Sequence, residues 1–164
     1  MKLRFATIAS LFFITLSVFQ CNFRKEVPHF PSDFRFKIEA WGFSYISNNQ
    51  TYVRSYVNGD TTIVLPLDES EIQFIYELVD DMKFLNFPDH FECAENSMST
   101  EPSFTTQIGV GYQGRYNKCY TTGDCLKTEI DRPKQLEKLE NAIRKILNSK
   151  SQVKNLPETD MVGL

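Results

Sequence analysis

Apolar and charged residues alternate from Phe34 to Trp41, with an apolar side chain at every second position. This period of two is typical of a strand that buries one face. Residues 42–46, 51–57 and 61–65 are short, β-rich runs and predict three further strands. Asn58-Gly59 lies between the last two runs and favours a tight hairpin, because both central residues of a type I′ turn need a positive φ.

Two segments change to the helical period. Over residues 68–85, apolar side chains recur at every third or fourth position, and acidic residues occupy the first turn, where the helix dipole favours negative charge. A second stripe of this kind follows Pro133, a residue favoured at the first helical position. Between them, residues 104–112 alternate again and lead through Gln113-Gly114 into a strand over residues 115–121. This order predicts an α+β fold, with two helices packed on one face of an antiparallel sheet of hairpins.

A shift of 64 residues aligns parts of the two halves of this pattern. It places Tyr52 on Tyr116 and Tyr56 on Tyr120. Duplication of one hairpin-and-helix unit explains the match, and so does the general likeness of any two such units.

The chain begins with a short apolar segment that precedes a cysteine. Lys2 and Arg4 come before an uncharged run of fifteen residues, and Cys21 follows shortly after. The run is shorter than the ~20 residues that a membrane-spanning helix needs. A basic start, a short apolar run and a cysteine resemble a bacterial lipoprotein signal. The resemblance implies that residues 1–20 are removed and that Cys21 carries a lipid anchor. Ordinary secretion and an uncleaved anchor helix are the alternatives.

The region after the signal carries a second resemblance. The first predicted helix ends in FLNFP at residues 84–88, Pro102 and Phe104 precede the next strand, and Pro133 opens the closing helix. This combination is similar to a small domain of unknown function found in secreted bacterial proteins. The resemblance covers residues 34–148 and implies a fold and a compartment, but no activity.

These signals divide the chain into four parts. They are a signal peptide (1–20), a tether that contains two prolines (21–33), a single α+β domain (34–148) and a flexible tail without an apolar period (149–164).

Composition and charge narrow the classes of function. Aromatic residues make up 13% and apolar residues 41% of the 164 residues, which is enough to build a core. The formal net charge is −3. Removal of the signal peptide, with its two basic residues, leaves 16 basic and 21 acidic residues and a net charge of −5. This acidic balance argues against a nucleic-acid-binding protein, which carries a basic face or stripe.

The predicted domain contains Cys93, Cys119 and Cys125. Export implies an oxidising compartment, so one disulfide and one free thiol are expected. A two-residue turn at Gln113-Gly114 places Cys119 opposite Ile108 on the core face. This arrangement favours a Cys93–Cys125 disulfide, with Cys93–Cys119 and Cys119–Cys125 as the alternatives.

Motifs for catalysis and for cofactors are weak in this sequence. Gly109, Gly111 and Gly114 match the spacing of a dinucleotide-binding loop, but a predicted strand rather than a helix follows them, so no cofactor is expected. His90 lies in an acidic loop over residues 86–103 and is the only histidine of the predicted domain, so no metal site is expected. A hydrolase-type enzyme with its site around His90 is an alternative.

Two predicted strands each carry two tyrosines and one cation at alternate positions. The six residues are Tyr52, Arg54, Tyr56, Tyr116, Lys118 and Tyr120. In the register above, the second row lies opposite two glycines and a glutamine, and aromatic side chains commonly cover glycines across a strand pair. The other interpretation is a flat, exposed sheet face for a glycan or a protein partner, because tyrosine combines a large rigid ring with a hydroxyl group.

The sequence therefore predicts a non-catalytic binding or assembly module of the cell envelope, tethered to a membrane through Cys21. The alternatives are the enzyme with a site around His90 and a purely structural envelope protein. The expected partners are an envelope protein or a glycan, and not a nucleic acid.

Overall fold

Six antiparallel strands form one sheet in the computed structural model, which describes residues 30–91, 106–121 and 131–161. The signal peptide, Cys21, Cys93 and Cys125 lie outside these residues. The strands are β1 (Arg35–Ala40), β2 (Phe43–Ile46), β3 (Thr51–Arg54), β4 (Thr61–Val64), β5 (Thr106–Tyr112) and β6 (Arg115–Thr121).

The strand order is β4-β3-β2-β1-β5-β6. The first four strands form a meander, and the β5–β6 hairpin joins it along β1. Ile38 in β1 pairs with Tyr45 in β2 on one side and with Ile108 in β5 on the other. Every pair is antiparallel, as the hairpin pattern predicts.

The helices are α1 (Glu69–Asp81), a 3-10 turn (Phe84–Asn86), α2 (Asp131–Ser149) and α3 (Ser151–Lys154). Ile75 and Val79 of α1 and Leu139 and Ile143 of α2 are fully buried, and they share one core with the sheet. Both long helices therefore cover the same face of the sheet, and the predicted α+β fold is confirmed.

The N-terminus of α1 is fixed by a capping box. The Asp68 side chain accepts a hydrogen bond from the Glu71 N–H at 2.9 Å, and the Glu71 carboxylate accepts one from the Asp68 N–H at 2.9 Å. Such reciprocal bonds satisfy N–H groups that have no partner within the helix. Lys150 Nζ also contacts Glu71, which links the end of α2 to the start of α1.

Two predicted hairpin turns have opposite outcomes. Gln113 and Gly114 have φ values of 51° and 70°, and Tyr112 pairs with Arg115, so the two-residue turn between β5 and β6 is confirmed. The prediction of a tight turn at Asn58-Gly59 is wrong. Six residues (55–60) connect β3 to β4, and of that dipeptide only Gly59 has a positive φ.

The residues after α3 (155–161), which we call the C-terminal segment, bond to the residues at the end of β3. The Arg54 guanidinium donates to the carbonyl oxygens of Leu156 and Pro157 at 3.2 and 2.8 Å. The Tyr56 hydroxyl also donates to the Pro157 oxygen, at 2.9 Å. Val153 in α3 is 2% exposed. The prediction of a loose tail is therefore wrong for residues 151–161, because Val153 belongs to the core and residues 156–160 bond to the end of β3 and the loop after it.

Cys119 occupies the core position that the hairpin register predicts. It pairs with Ile108, is fully buried and carries a free thiol. Burial raises the pKa of this thiol to about 12. The predicted Cys93–Cys125 disulfide lies outside the described residues and stays a prediction.

The 64-residue shift does not superpose the two strands that it aligns. Tyr52 is 2% exposed and faces the helices, whereas Tyr116 is 58% exposed and faces the other side of the sheet. Equivalent positions of a duplicated unit would point to the same face, so the structure argues against duplication.

Candidate functional site

The sheet has one face covered by α1 and α2 and one face that no described helix covers, which we call the open face. Strand residues alternate between the two faces. The pairing register gives three rows of side chains across the open face, which are Thr62–Val53–Ser44–Glu39–Gln107–Tyr120, Val64–Thr51–Ile46–Lys37–Gly109–Lys118 and Arg35–Gly111–Tyr116.

The first tyrosine row lies on the helix side of the sheet. The Tyr52 ring is stacked on Phe43, with 5.8 Å between the ring centroids. The Arg54 guanidinium donates to the Tyr52 hydroxyl at 3.2 Å, and Tyr56 bonds to the C-terminal segment. The prediction of one exposed face that contains both rows is therefore wrong. Tyr52, Arg54 and Tyr56 hold the core and the C-terminal segment together.

The second tyrosine row lies on the open face. Tyr116, Lys118 and Tyr120 pair with Gly111, Gly109 and Gln107, as the sequence predicts. The Tyr116 ring leans across β5 and covers a glycine. A Cβ atom built on Gly109 would lie 3.1 Å from Cζ of Tyr116. The expectation that an aromatic ring covers a glycine is confirmed, although Tyr116 lies over Gly109 and not over its direct partner Gly111. Tyr116 nevertheless remains 58% exposed.

A second long side chain lies over the neighbouring glycine. A Cβ atom on Gly111 would lie 3.0 Å from Nε of Arg35. Because both glycines lack a side chain, the phenol ring and the guanidinium can approach the backbone of β5 closely. We call the resulting flat surface the platform, and its residues are Arg35, Lys37, Gly109, Gly111, Tyr116 and Lys118.

The charge of the open face is opposite to that of the whole chain. Its three rows contain three cations, Arg35, Lys37 and Lys118, and one carboxylate, Glu39, which give a formal charge of +2. Lys37 Nζ lies 2.7 Å from the Glu39 carboxylate, with both side chains about half exposed. Lys118 Nζ lies 5.6 Å from the centroid of the Tyr120 ring.

An open groove of about 490 Å³ continues the open face beyond its first row. Its lining includes three side chains of that row together with residues from the β1–β2 turn, the end of β3 and the C-terminal segment, namely Glu39, Gln107, Tyr120, Trp41, Ser55 and Met161. Trp41 is 41% exposed, and its Nε1–H donates to the Met161 carbonyl oxygen at 3.3 Å. Sequence patterns did not indicate this groove, because one of its sides forms only when residues 159–161 pack against the β1–β2 turn and Ser55.

The loop residue His90 lies next to the same end of β6. It forms an isolated bridge with Tyr120, whose N–H donates to the Asp89 carbonyl oxygen at 2.8 Å. Within the described parts of the chain, no three His, Cys, Asp or Glu side chains come together in a way that could hold a metal ion. Glu92, which the enzyme alternative places in the same loop as His90, lies outside these parts.

The glycines that match the dinucleotide-binding spacing have structural roles. Gly109 and Gly111 lie on β5, and Gly114 completes the turn with a φ of 70°. Strand β6 follows them, so no helix N-terminus is available at this position for a pyrophosphate group.

No protein-family model matches the chain, and no curated protein matches it either. Among residues 30–91, 106–121 and 131–161, each helix is too short or too polar to cross a membrane.

Proposed function

We propose that this chain is a non-catalytic binding or assembly module that acts through the open face of its sheet. The exposed Tyr116 ring on the platform carries the proposal. It offers a rigid aromatic surface that is 58% exposed, beside three cations. Tyrosine and arginine are enriched in protein interfaces, where a large ring and a hydrogen-bonding group contact a partner at low entropic cost.

The second part of the proposal is the compartment. The signal-like residues 1–20 and the cysteine that follows them support an envelope lipoprotein anchored through Cys21. In cells fed labelled palmitate, the chain should incorporate the label and a Cys21→Ser variant should not. Absence of label from the unmodified chain would leave ordinary secretion or an uncleaved anchor.

An oxidising compartment supports the predicted Cys93–Cys125 disulfide as part of the same proposal. The hydrogen bond between Tyr120 and Asp89 places the start of the acidic loop beside the end of β6. Cys93 follows Asp89 by four residues, and Cys125 follows Tyr120 by five. Peptide mapping under non-reducing conditions should recover a Cys93–Cys125 peptide, and a peptide that joins Cys119 to either cysteine would contradict the pairing.

The binding function is tested by removal of the two tyrosine rings that β6 places on the open face. A double variant, Tyr116→Ser with Tyr120→Ser, should remain folded and lose at least tenfold in affinity for its envelope partner, a change of about 1.4 kcal/mol. The matched control is Phe74→Ser on α1, because Phe74 is also exposed, at 47%, but lies on a helix. Cross-linking to isolated envelope fractions, followed by titration with the captured component, measures the effect.

The two other functional classes predict different results in the same experiment. If the double variant captures the same components with the same affinity, the open face is not the binding surface. A product or a metal that depends on His90 would instead indicate an enzyme, and a chain without any dependent component would indicate a structural protein.

A further inference from the structure

The groove at the end of the open face has the composition of a small-molecule site. Its volume of about 490 Å³ lies within the range of ligand pockets, roughly 300–1,000 Å³. Trp41 and Tyr120 contribute aromatic rings, and Gln107 and Ser55 contribute polar groups. A few placed polar groups among aromatic side chains are typical of sites that orient a ligand.

The polar groups of the groove suit a ligand with many hydroxyl groups. Glu39 and Gln107 are direct partners across β1 and β5, so their side chains stand side by side on the open face. A carboxylate accepts hydrogen bonds, whereas an amide both donates and accepts them. Neighbouring hydroxyls of a sugar can donate to the first and exchange hydrogen bonds with the second. The apolar C–H face of a sugar ring complements an indole or a phenol ring.

The groove continues into the platform along β5. Gln107, Gly109 and Gly111 occupy successive open-face positions of this strand, over a span of about 14 Å. Lys37 and Lys118 flank Gly109 on the two sides, because both pair with it. The Lys37 ammonium is held by the Glu39 carboxylate, and the Lys118 ammonium lies over the Tyr120 ring, so both lie toward the groove. A ligand that extends from the groove therefore passes between these two ammonium groups before it reaches Tyr116, and a carboxylate of the ligand would share Lys37 with Glu39.

The cations beside the path from the groove to the platform select for a negatively charged ligand. The open face has a formal charge of +2 although the chain has a net charge of −3, so the positive charge is concentrated here. Charge-assisted hydrogen bonds from lysine or arginine to a carboxylate are roughly twice as strong as neutral ones. Charge complementarity of this kind gives specificity as well as faster association.

We propose that the groove and the platform together bind an acidic saccharide chain, with sugar rings against Trp41 and Tyr120 and carboxylates between Lys37 and Lys118. This inference rests on the proposed binding function and names its ligand class.

The single tryptophan of the chain provides a direct readout, because Trp41 lines the groove. Oligogalacturonate should change the Trp41 fluorescence in a saturable manner, and the affinity should fall as salt is added. A neutral maltooligosaccharide of equal length should bind at least tenfold more weakly. Poly-glutamate should also bind at least tenfold more weakly, because it has the charge but no sugar rings.

Two charge variants test whether the cations of the platform bind the saccharide. Lys118→Gln should weaken oligogalacturonate binding by at least tenfold, since a charge-assisted hydrogen bond to a carboxylate is lost. Lys138→Gln, which removes an exposed cation of α2, should leave the affinity unchanged. Gln107→Ala should weaken the acidic and the neutral saccharide alike, and calorimetry confirms each affinity independently of the fluorescence.

Several results would overturn the inference. Equal affinity for poly-glutamate, equal affinity for the neutral saccharide, or an unchanged affinity of Lys118→Gln would each contradict it. If no saccharide binds but Tyr116→Ser with Tyr120→Ser still abolishes capture of an envelope partner, the saccharide inference fails and the proposed binding function stands. If neither occurs, both proposals fail.

Discussion

Strands β3 and β6 carry the same pattern of two tyrosines and a cation, and the structure uses the two rows in opposite ways. In β3, Tyr52 is buried under the helices and Arg54 binds the C-terminal segment. In β6, Tyr116 is exposed on the open face and lies over Gly109. An alternating pattern therefore defines which residues share a face, whereas the pairing register decides which face is covered.

The position of each strand in the sheet explains the difference. Tyr52 pairs with Tyr45, which pairs with Ile38, so the β3 row is continuous with the apolar row under α1 and α2. In β6 the corresponding place on the helix side belongs to Cys119, which pairs with Ile108. The tyrosines of β6 therefore occupy the other face, where two glycines leave space for a ring.

The two tyrosine rows should differ most in how much their side chains contribute to the free energy of unfolding. Tyr52→Ala should lower the free energy of unfolding by about 3–5 kcal/mol, as expected when a large buried aromatic side chain leaves a cavity. Tyr116→Ala should change it by only about 0.5 kcal/mol, because most of its ring is in solvent. Urea denaturation of both variants measures the difference. Equal losses would show that Tyr116 is a structural cover for Gly109 and would weaken the case for a binding surface.

A smaller effect distinguishes the two cations. Arg54→Ala removes the hydrogen bonds to Leu156 and Pro157, so we expect a loss of about 1–3 kcal/mol and faster proteolysis within residues 155–161. Lys118→Ala, at the corresponding place in the β6 row, should change neither quantity. Limited proteolysis with mass spectrometry identifies the cleaved bonds. An intact C-terminal segment in the Arg54 variant would show that other contacts, such as the hydrogen bond from Thr159 to Ser55, are sufficient.

The sequence predicts the local elements well for a physical reason. Burial of one face of a strand or helix requires apolar side chains at a regular period. The alternation at 34–41 and the helical stripe at 68–85 show this period directly. The first helix ends four residues before the predicted end, because Lys83 adopts a φ of 55° and the chain turns into a short 3-10 segment.

No regular pattern in the sequence predicts how the C-terminal segment packs or where the groove lies. Arg54, Tyr56 and Trp41 donate to backbone carbonyl oxygens, which every residue possesses. Because these contacts do not require particular side chains, the acceptor segment shows no apolar period, and its sequence predicts a loose tail. The Asn58-Gly59 signal fails for a related reason, since the residues before it bond to the C-terminal segment instead of extending β3.

The smallest expected effect concerns the turn that presents the β6 row. The Asp33 carboxylate accepts a hydrogen bond from the Gly114 N–H at 3.0 Å. Backbone hydrogen bonds from Gln113 and Gly114 hold the pKa of Asp33 below its ordinary value of 3.8. A carboxyl group with a lowered pKa in the folded state stabilises the fold above its unfolded pKa, and this contribution is lost as the pH falls through the folded value.

The melting temperature should therefore fall as the pH decreases below about 4, and Asp33→Asn should make that fall shallower. Asp81→Asn, an exposed position at the end of α1, serves as the control and should keep the full acid dependence. In the unmodified protein, loss of protection at the Gly114 amide as the pH falls below about 4 would locate the effect in the β5–β6 turn. If the acid dependence is the same in all three proteins, the β5–β6 hairpin holds its tyrosine row without Asp33, and the glycine-covering Tyr116 ring becomes the contact that orients this row.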